Sequence, residues 1–155
     1  YNTLESHQQI AVAIQQMWKQ ALNIDITLTN QEWKVYLDTR SAMDFQIARA
    51  SWIGDYVDPN TFLDMFVTSG GNNHTGWSND EYDQLIAQAA ITADQDIRYK
   101  LFQRAEKILV DEVPIIPIYT YARIFLQSPE VKGWHPNILD RHPYKYVYLE
   151  SNNQD

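Results

Sequence analysis

The sequence contains no cysteine among its 155 residues, which excludes disulfide bonds, zinc sites built on thiolates and thiol nucleophiles. Neither a G-x-S-x-G nor a G-x-x-x-x-G-K pattern occurs, so the serine nucleophile turn and the phosphate-binding loop are both missing. The longest nearly uncharged stretch, residues 113–122, is too short to span a bilayer and is interrupted by Pro114 and Pro117. These absences favour a binding module over an enzyme.

Basic residues are also in short supply. Twelve Lys and Arg stand against twenty Asp and Glu, which gives a formal net charge of −8 and argues against nucleic acid or anionic lipid as a partner. Cationic ligands are favoured instead. Hydrophobic residues make up 45% and charged residues 21%, values typical of one globular domain or of one lobe of a larger protein.

Ligands for a metal ion are sparse as well. The four histidines are His7, His74, His135 and His142, and no two of them stand three or four residues apart on one helical face. We therefore predict neither a metal site nor a cofactor. A carboxylate pair for glycoside hydrolysis could be built from Asp55 and Asp58, and this remains a remote alternative.

Five helices are predicted from start patterns and from apolar residues at helical spacing. Three of them open on a hydroxyl residue with Glu or Gln three positions later, and one opens on an aspartate followed by proline. The predicted helices start at the Ser6/Gln9 pair and run to about residue 23, at about Glu32 and run to about Thr39, at Asp58 with Pro59, at the Ser78/Glu81 pair, and at the Thr92/Gln95 pair.

Four segments have strand-like composition or alternate apolar and polar residues, as half-buried strands do: 24–30, 44–52, 114–127 and 144–150. Helices interspersed with such strands indicate an α/β fold. The second of these strands is predicted to end near Trp52, immediately before Asp55.

Asp55 lies in the segment ASWIGDYVDPN, residues 50–60, next to a glycine and between Trp52 and Tyr56. Two interpretations stay open on local chemistry. Asp55 could be a turn residue whose side chain accepts hydrogen bonds from nearby backbone N–H groups. Alternatively, it is a partly desolvated anion that takes its cation from a ligand, because the segment contains no Lys or Arg as an obvious partner.

Four segments, 30–40, 48–66, 76–86 and 113–134, resemble the C-terminal part of periplasmic oligopeptide-binding proteins of ABC importers, the peptide- and nickel-type family 5. The resemblance implies one lobe of a two-lobed α/β fold, with a mixed sheet flanked by helices and incomplete at its N-terminus. Residues 1–143 would form this truncated C-terminal lobe. Residues 144–155 would form a final strand and tail that returns to the other lobe.

The resemblance also assigns roles to residues. Asp55 would pair with the α-ammonium group of a peptide, while the backbone ending at Ile53 would bind the peptide main chain as an added strand. From the residues alone, Trp33 could equally be a core aromatic, Arg40 a solvated surface residue and His7 an exposed residue of a first helical turn. In the family's terms, Trp33 and Trp52 would wall side-chain pockets, Tyr121 would contact the peptide, and Arg40, Arg49 and His7 would meet its carboxylate or side chains.

The function that the resemblance implies is capture of short peptides outside the cytoplasmic membrane and delivery to an ABC permease. It implies no catalysis, a periplasmic or membrane-anchored lipoprotein location, and three partners: a peptide, the permease and the missing N-terminal lobe. Relatives that bind murein peptides, haem, nickel complexes or sugars share the architecture, so such ligands remain alternatives.

Overall fold

The computed structural model describes residues 1–150 and contains five α-helices and one small sheet. No helix within these residues combines the length and apolar character needed to cross a membrane. In chain order, the elements are α1 (Glu5–Leu22), α2 (Trp33–Ser41), α3 (Asn60–Leu63), a 3-10 turn (Asp64–Phe66), α4 (Asp80–Ile91), α5 (Gln95–Glu112), β1 (Val131–Lys132), a second 3-10 turn (Tyr144–Tyr146) and β2 (Tyr148–Leu149).

All five predicted helices form, but the predicted hydroxyl caps are wrong. Helix α4 is capped by Asn79, whose side chain accepts from the Tyr82 N–H, and α5 by Asp94, which accepts from the Ile97 N–H. In both cases an Asn or Asp that can also cap a helix follows the predicted residue by one or two positions. Ser6 lies inside α1, whose cap residue makes no side-chain hydrogen bond.

The core is a helical hairpin made by α4 and α5. The two helices are joined by residues 92–94, and the apolar stripes predicted for them face each other, except that Ile97 is exposed. Tyr82 is fully buried, and its hydroxyl donates to the Leu63 carbonyl, which ties α3 to the hairpin. The buried core consists of Leu63, Tyr82, Leu85, Ile86, Ala89, Leu101, Phe102, Ala105 and Leu109.

The α/β class is confirmed, although most of the predicted strands do not form within the described residues. Segments 24–30, 44–52 and 114–127 form neither helix nor strand, because a strand needs a continuous hydrogen-bonding partner and residues 1–150 supply none. An isolated bridge pairs Asn2 with Gln31 in parallel.

The last predicted strand, 144–150, is confirmed in part by β2. Strand β2 pairs antiparallel with β1, and Val131 lies opposite Leu149. Gly133 follows β1 with φ +77° and lies directly against the 3-10 turn that precedes β2, where a Cβ would lie 1.9 Å from the Tyr146 carbonyl oxygen. The remainder of the predicted tail, residues 151–155, lies outside the described residues.

Helix α1 presents an apolar side that the described residues leave largely uncovered. Of its eighteen residues only His7 is buried. Ile10, Ile14 and Trp18 are half-buried, and Met17 is exposed. The helix ends at Asn23, which adopts the left-handed conformation that commonly closes helices.

Candidate ligand-binding site

Asp55 lies in a turn immediately before α3, with its carboxylate exposed. Its backbone N–H donates to Thr61 Oγ1 at 3.0 Å, whereas its carboxylate makes no hydrogen bond or ion pair with any residue from 1 to 150. The interpretation of Asp55 as a side-chain acceptor for the turn is therefore wrong. The prediction that the carboxylate is partly desolvated is also wrong for this chain alone, because water reaches it.

Close packing restricts the turn that carries Asp55. Gly54 is buried, and a Cβ at this position would lie 3.1 Å from both Phe62 Cζ and Thr61 Cγ2. The backbone before Asp55 therefore runs directly against α3. Burial raises the pKa of Asp64, and the negative charge of the nearby Asp55 carboxylate raises it further.

Asp58 has a structural role that occupies its carboxylate. As predicted, it accepts the free N–H of Asn60 at the start of α3, at 2.9 Å. It also receives two hydrogen bonds from the Arg98 guanidinium, and those bonds hold the pKa of Asp58 below its ordinary value. This pair could not be predicted from the sequence because the two residues are forty positions apart. With Asp58 engaged in this way, an Asp55/Asp58 hydrolytic pair has no support in the geometry.

The residues just before Asp55 present one ring and one exposed aliphatic side chain. The Trp52 ring is half-buried, and its Nε1 is buried without a hydrogen-bond partner among the described residues. Ile53 is 71% exposed. The segment therefore offers apolar surface and free backbone next to the Asp55 carboxylate.

Three of the predicted site residues meet in one polar cluster. The Arg49 guanidinium donates to the Tyr121 hydroxyl and, at 3.3 Å, to Ser51 Oγ. It also lies 5.9 Å from the centroid of the Tyr121 ring. His7 Nε2 lies 3.4 Å from the same hydroxyl, so side chains from two distant parts of the chain converge on Tyr121.

His7 is buried, which contradicts the interpretation of it as an exposed first-turn residue. Only 5% of its surface is accessible, and its Nδ1 lies 2.7 Å from Asn2 Oδ1. Burial lowers the pKa of His7, and the positive charge of Arg49 lowers it further. The imidazole is therefore held neutral at neutral pH.

Trp33 is linked to the cluster by Tyr36. The Tyr36 hydroxyl donates to the Arg49 carbonyl, and the Trp33 ring stacks on Tyr36 with centroids 5.6 Å apart. Trp33 is itself 54% exposed, so its interpretation as a core aromatic is wrong. Tyr36, which is buried, takes that place in the packing.

Arg40 is not part of this cluster. It is half-buried, and its guanidinium makes no hydrogen bond or ion pair with residues 1–150. Its charge is felt at His74, whose pKa is lowered first by burial and then by Arg40. Within the same residues, no three His, Asp or Glu side chains are grouped as a metal site would require.

Sequence reasoning missed Asn2, Tyr36 and Tyr119. The Tyr119 ring contacts Tyr121 edge to face at 4.9 Å, and hydrogen bonding between their hydroxyls raises the pKa of Tyr121 and lowers that of Tyr119. The alternation of Tyr119 and Tyr121 along the chain was a usable indication, because both fall on one side of an extended segment. Nothing in the sequence marked Asn2, whose role depends on its contact with His7.

Comparison with known proteins finds relatives of this chain among bacterial binding proteins. Residues 1–74 match the family model of bacterial extracellular solute-binding proteins, family 5 middle. The dipeptide-binding protein DppE of Bacillus subtilis is 45% identical over 150 residues, which are 97% of this chain and 27% of DppE. The periplasmic murein peptide-binding protein MppA of Escherichia coli is 43% identical over 137 residues, 88% of this chain and 26% of MppA.

A solved structure shares the fold. The Haemophilus influenzae OppA complex with the peptide RPPGFSPFR has a TM-score of 0.83 and 38% identity, covering 96% of this chain and 30% of that one. The chain thus spans between a quarter and a third of the length of these relatives.

Proposed function

The chain belongs to the bacterial extracellular solute-binding proteins of family 5, and from this membership we propose that it forms one wall of a cleft that captures short peptides. One observation carries the proposal: the exposed Asp55 carboxylate has no cation among residues 1–150. The α-ammonium group of a peptide would supply that cation.

The other residues of the site would hold the rest of the peptide. The backbone at Trp52 and Ile53 would pair with the peptide main chain, which makes binding tolerant of sequence. Trp33 and Trp52 would line side-chain pockets, because aromatic rings give contact area at low entropic cost. Tyr121 and the cations Arg49 and Arg40, with His7, would meet the C-terminal carboxylate or the peptide's side chains.

We propose further that the cleft has a second wall outside these residues. Residues 1–143 would then form one lobe, and 144–155 would return to a second, N-terminal lobe that closes over the ligand by a hinge motion. The protein would work outside the cytoplasmic membrane, in the periplasm or as an anchored lipoprotein, and pass peptides to an ABC permease without catalysing a reaction. DppE, MppA and OppA, named for dipeptides, murein peptides and oligopeptides, support this assignment.

Calorimetry on the full-length protein tests the role of Asp55. We expect a tripeptide to bind well and its N-acetylated twin to bind poorly, and Asp55→Asn to weaken tripeptide binding by about 2 to 5 kcal/mol, as for buried charge pairs at interfaces. Asp25→Asn is the matched control, because it removes the same charge from an exposed pair with Lys19. Equal affinities for the two peptides would contradict the assignment.

Similarity to MppA favours murein peptides as a second candidate ligand class. These ligands differ from ordinary peptides in the chemistry of their backbone, so mass spectrometry of small molecules that copurify with the protein separates the two. Recovery of ligands without a free amino group would count against both candidates.

A further inference from the structure

We infer that Asn2 is a positioning residue that fixes the tautomer of His7, and through it the direction of the Tyr121 hydroxyl and the placement of Arg49. The inference deepens the proposed function and rests on it in one respect. An effect on peptide binding is expected only if Arg49 contacts the ligand. The direction of each hydrogen bond rests only on the geometry of four side chains, those of Asn2, His7, Tyr121 and Arg49.

Arg49 determines what the Tyr121 oxygen does. A guanidinium carries five N–H donors and no acceptor, so in its contact with Tyr121 the phenol oxygen must accept. The phenol proton is then free to be donated elsewhere. His7 Nε2, at 3.4 Å, is one acceptor within reach.

The charge of Arg49 favours this direction of donation. His7 Nε2 points towards the Tyr121 and Arg49 side of the ring, where the potential is positive. A lone pair on Nε2 is stabilised there, while an Nε2–H dipole would be repelled. Neutral imidazole therefore carries its proton on Nδ1, the other ring nitrogen.

Asn2 supplies the acceptor for the proton on His7 Nδ1. Its Oδ1 lies 2.7 Å from His7 Nδ1, and both residues are buried, so water does not compete for the Nδ1 proton. The two hydrogen bonds that join Gln31 to the backbone of Tyr1 and Thr3, each 2.9 Å, hold Asn2 in position. In this arrangement Arg49 donates to Tyr121 and His7 Nδ1–H donates to Asn2, while the Tyr121 proton has two acceptors in reach, the Tyr119 hydroxyl and the lone pair of His7 Nε2.

The consequence for the site is a cation with a fixed orientation. Two Arg49 nitrogens are engaged, one by Tyr121 and one by Ser51, and the remaining N–H groups stay available for a carboxylate. If the His7 proton moved to Nε2, Tyr121 would have to accept from both neighbours, and the Nε2–H group would compete with Arg49 for the phenol oxygen.

Nitrogen NMR of the full-length, histidine-labelled protein without ligand tests the tautomer, with His7→Gln to assign the signal. We expect the Nδ1–H form in the wild type, its loss in Asn2→Leu, and its retention in Asn2→Asp, which keeps an acceptor oxygen. Tyr119→Phe removes the competing acceptor for the Tyr121 proton and should leave the tautomer unchanged. An Nε2–H form in the wild type, or an unchanged tautomer in Asn2→Leu, would overturn the inference.

Peptide binding gives the second measurement. Above pH 7 we expect Asn2→Leu to weaken binding about tenfold, the scale of one lost hydrogen bond, and Asn2→Asp to restore it. A general loss of structure would not be rescued by the aspartate. If the wild type bound no peptide while His7 still showed the Nδ1–H form, the proposed function would fail and the tautomer assignment would stand.

Discussion

At the scale of single residues, the contribution of a charged pair depends on how far it is withdrawn from water. Arg98 and Asp58 are 23% and 24% exposed, while the surface pair of Arg104 with Glu81 is 62% and 63% exposed. Arg98 also donates to the Ala89 carbonyl and lies over the Phe102 ring, 4.6 Å from its centroid. It therefore joins the Asp55 turn to the helical core.

We predict that Arg98→Met lowers the free energy of opening of the core by about 1.5 to 3 kcal/mol, the range for hydrogen bonds to charged groups. Arg104→Met, which breaks an exposed pair, should cost less than about 1 kcal/mol. Native-state hydrogen exchange at core amides of α4 and α5 measures both. Equal losses in the two variants would show that Arg98 acts only as a surface charge.

The same pair predicts a dependence on acid. The Arg98 hydrogen bonds lower the pKa of Asp58 below its ordinary value of 3.8, so at intermediate pH the unfolded chain binds more protons than the native one. The stabilisation is fully present above that value and is lost as pH falls through the native pKa. The stability of Arg98→Met, measured by hydrogen exchange against pH, should fall less steeply in this acid range than that of the wild type.

Residue identity could predict roles that depend on neighbours in sequence. The Asp58-Pro59 pair indicated a helix start, and the absence of a nearby cation singled out Asp55. The partner of Asp58 and the burial of His7 could not be predicted, because both depend on contacts between residues far apart in the chain. A first-turn histidine is exposed unless another segment covers it, and here Tyr121 and Asn2 do so.

At the scale of elements, the small sheet depends on one glycine. Gly133 has a positive φ, and any side chain there would meet the Tyr146 carbonyl. We predict that Gly133→Ala separates β1 from β2, at a cost of at least about 2 kcal/mol from the left-handed backbone and the overlap together. The Glu150 amide, which donates to the Glu130 carbonyl at 2.9 Å, should then exchange faster with deuterium.

Gly71→Ala is the control for this change, since a Cβ at that position meets nothing within 4 Å. Unchanged protection of the Glu150 amide in Gly133→Ala would contradict the prediction, because it would show that the paired strands tolerate the side chain.

Helices and strands differed in how well the sequence predicted them. A helix satisfies its own backbone, so apolar spacing within α4 and α5 was sufficient to predict them even though the predicted cap residues were wrong. A strand needs hydrogen bonds from a neighbouring strand. Alternation at 24–30 or 44–52 indicates which side chains share a face, but it does not indicate which segment would pair with it. These segments therefore have the composition of strands but form no paired strand within residues 1–150.

At the scale of the whole molecule, two features indicate that contacts are missing from these residues. The apolar side of α1 is largely uncovered, and the proposed cleft has only one wall here. The chain spans 27% of DppE, and we expect the remaining part of such a protein to supply contacts that these residues lack. We predict that the isolated 155-residue chain binds peptides far more weakly than the full-length protein. Calorimetry on both compares them, and low-micromolar binding by the isolated chain would contradict the two-wall cleft.

The helical hairpin of α4 and α5 has a consequence for the order of folding. Its core contacts join residues close in sequence through the short connection at 92–94, and local contacts close with little loss of chain entropy. The cluster around Tyr121 instead joins residues separated by 72 and 114 positions. During synthesis the hairpin should therefore form before the ligand site, so that a kinetic delay separates a folded core from a protein able to bind.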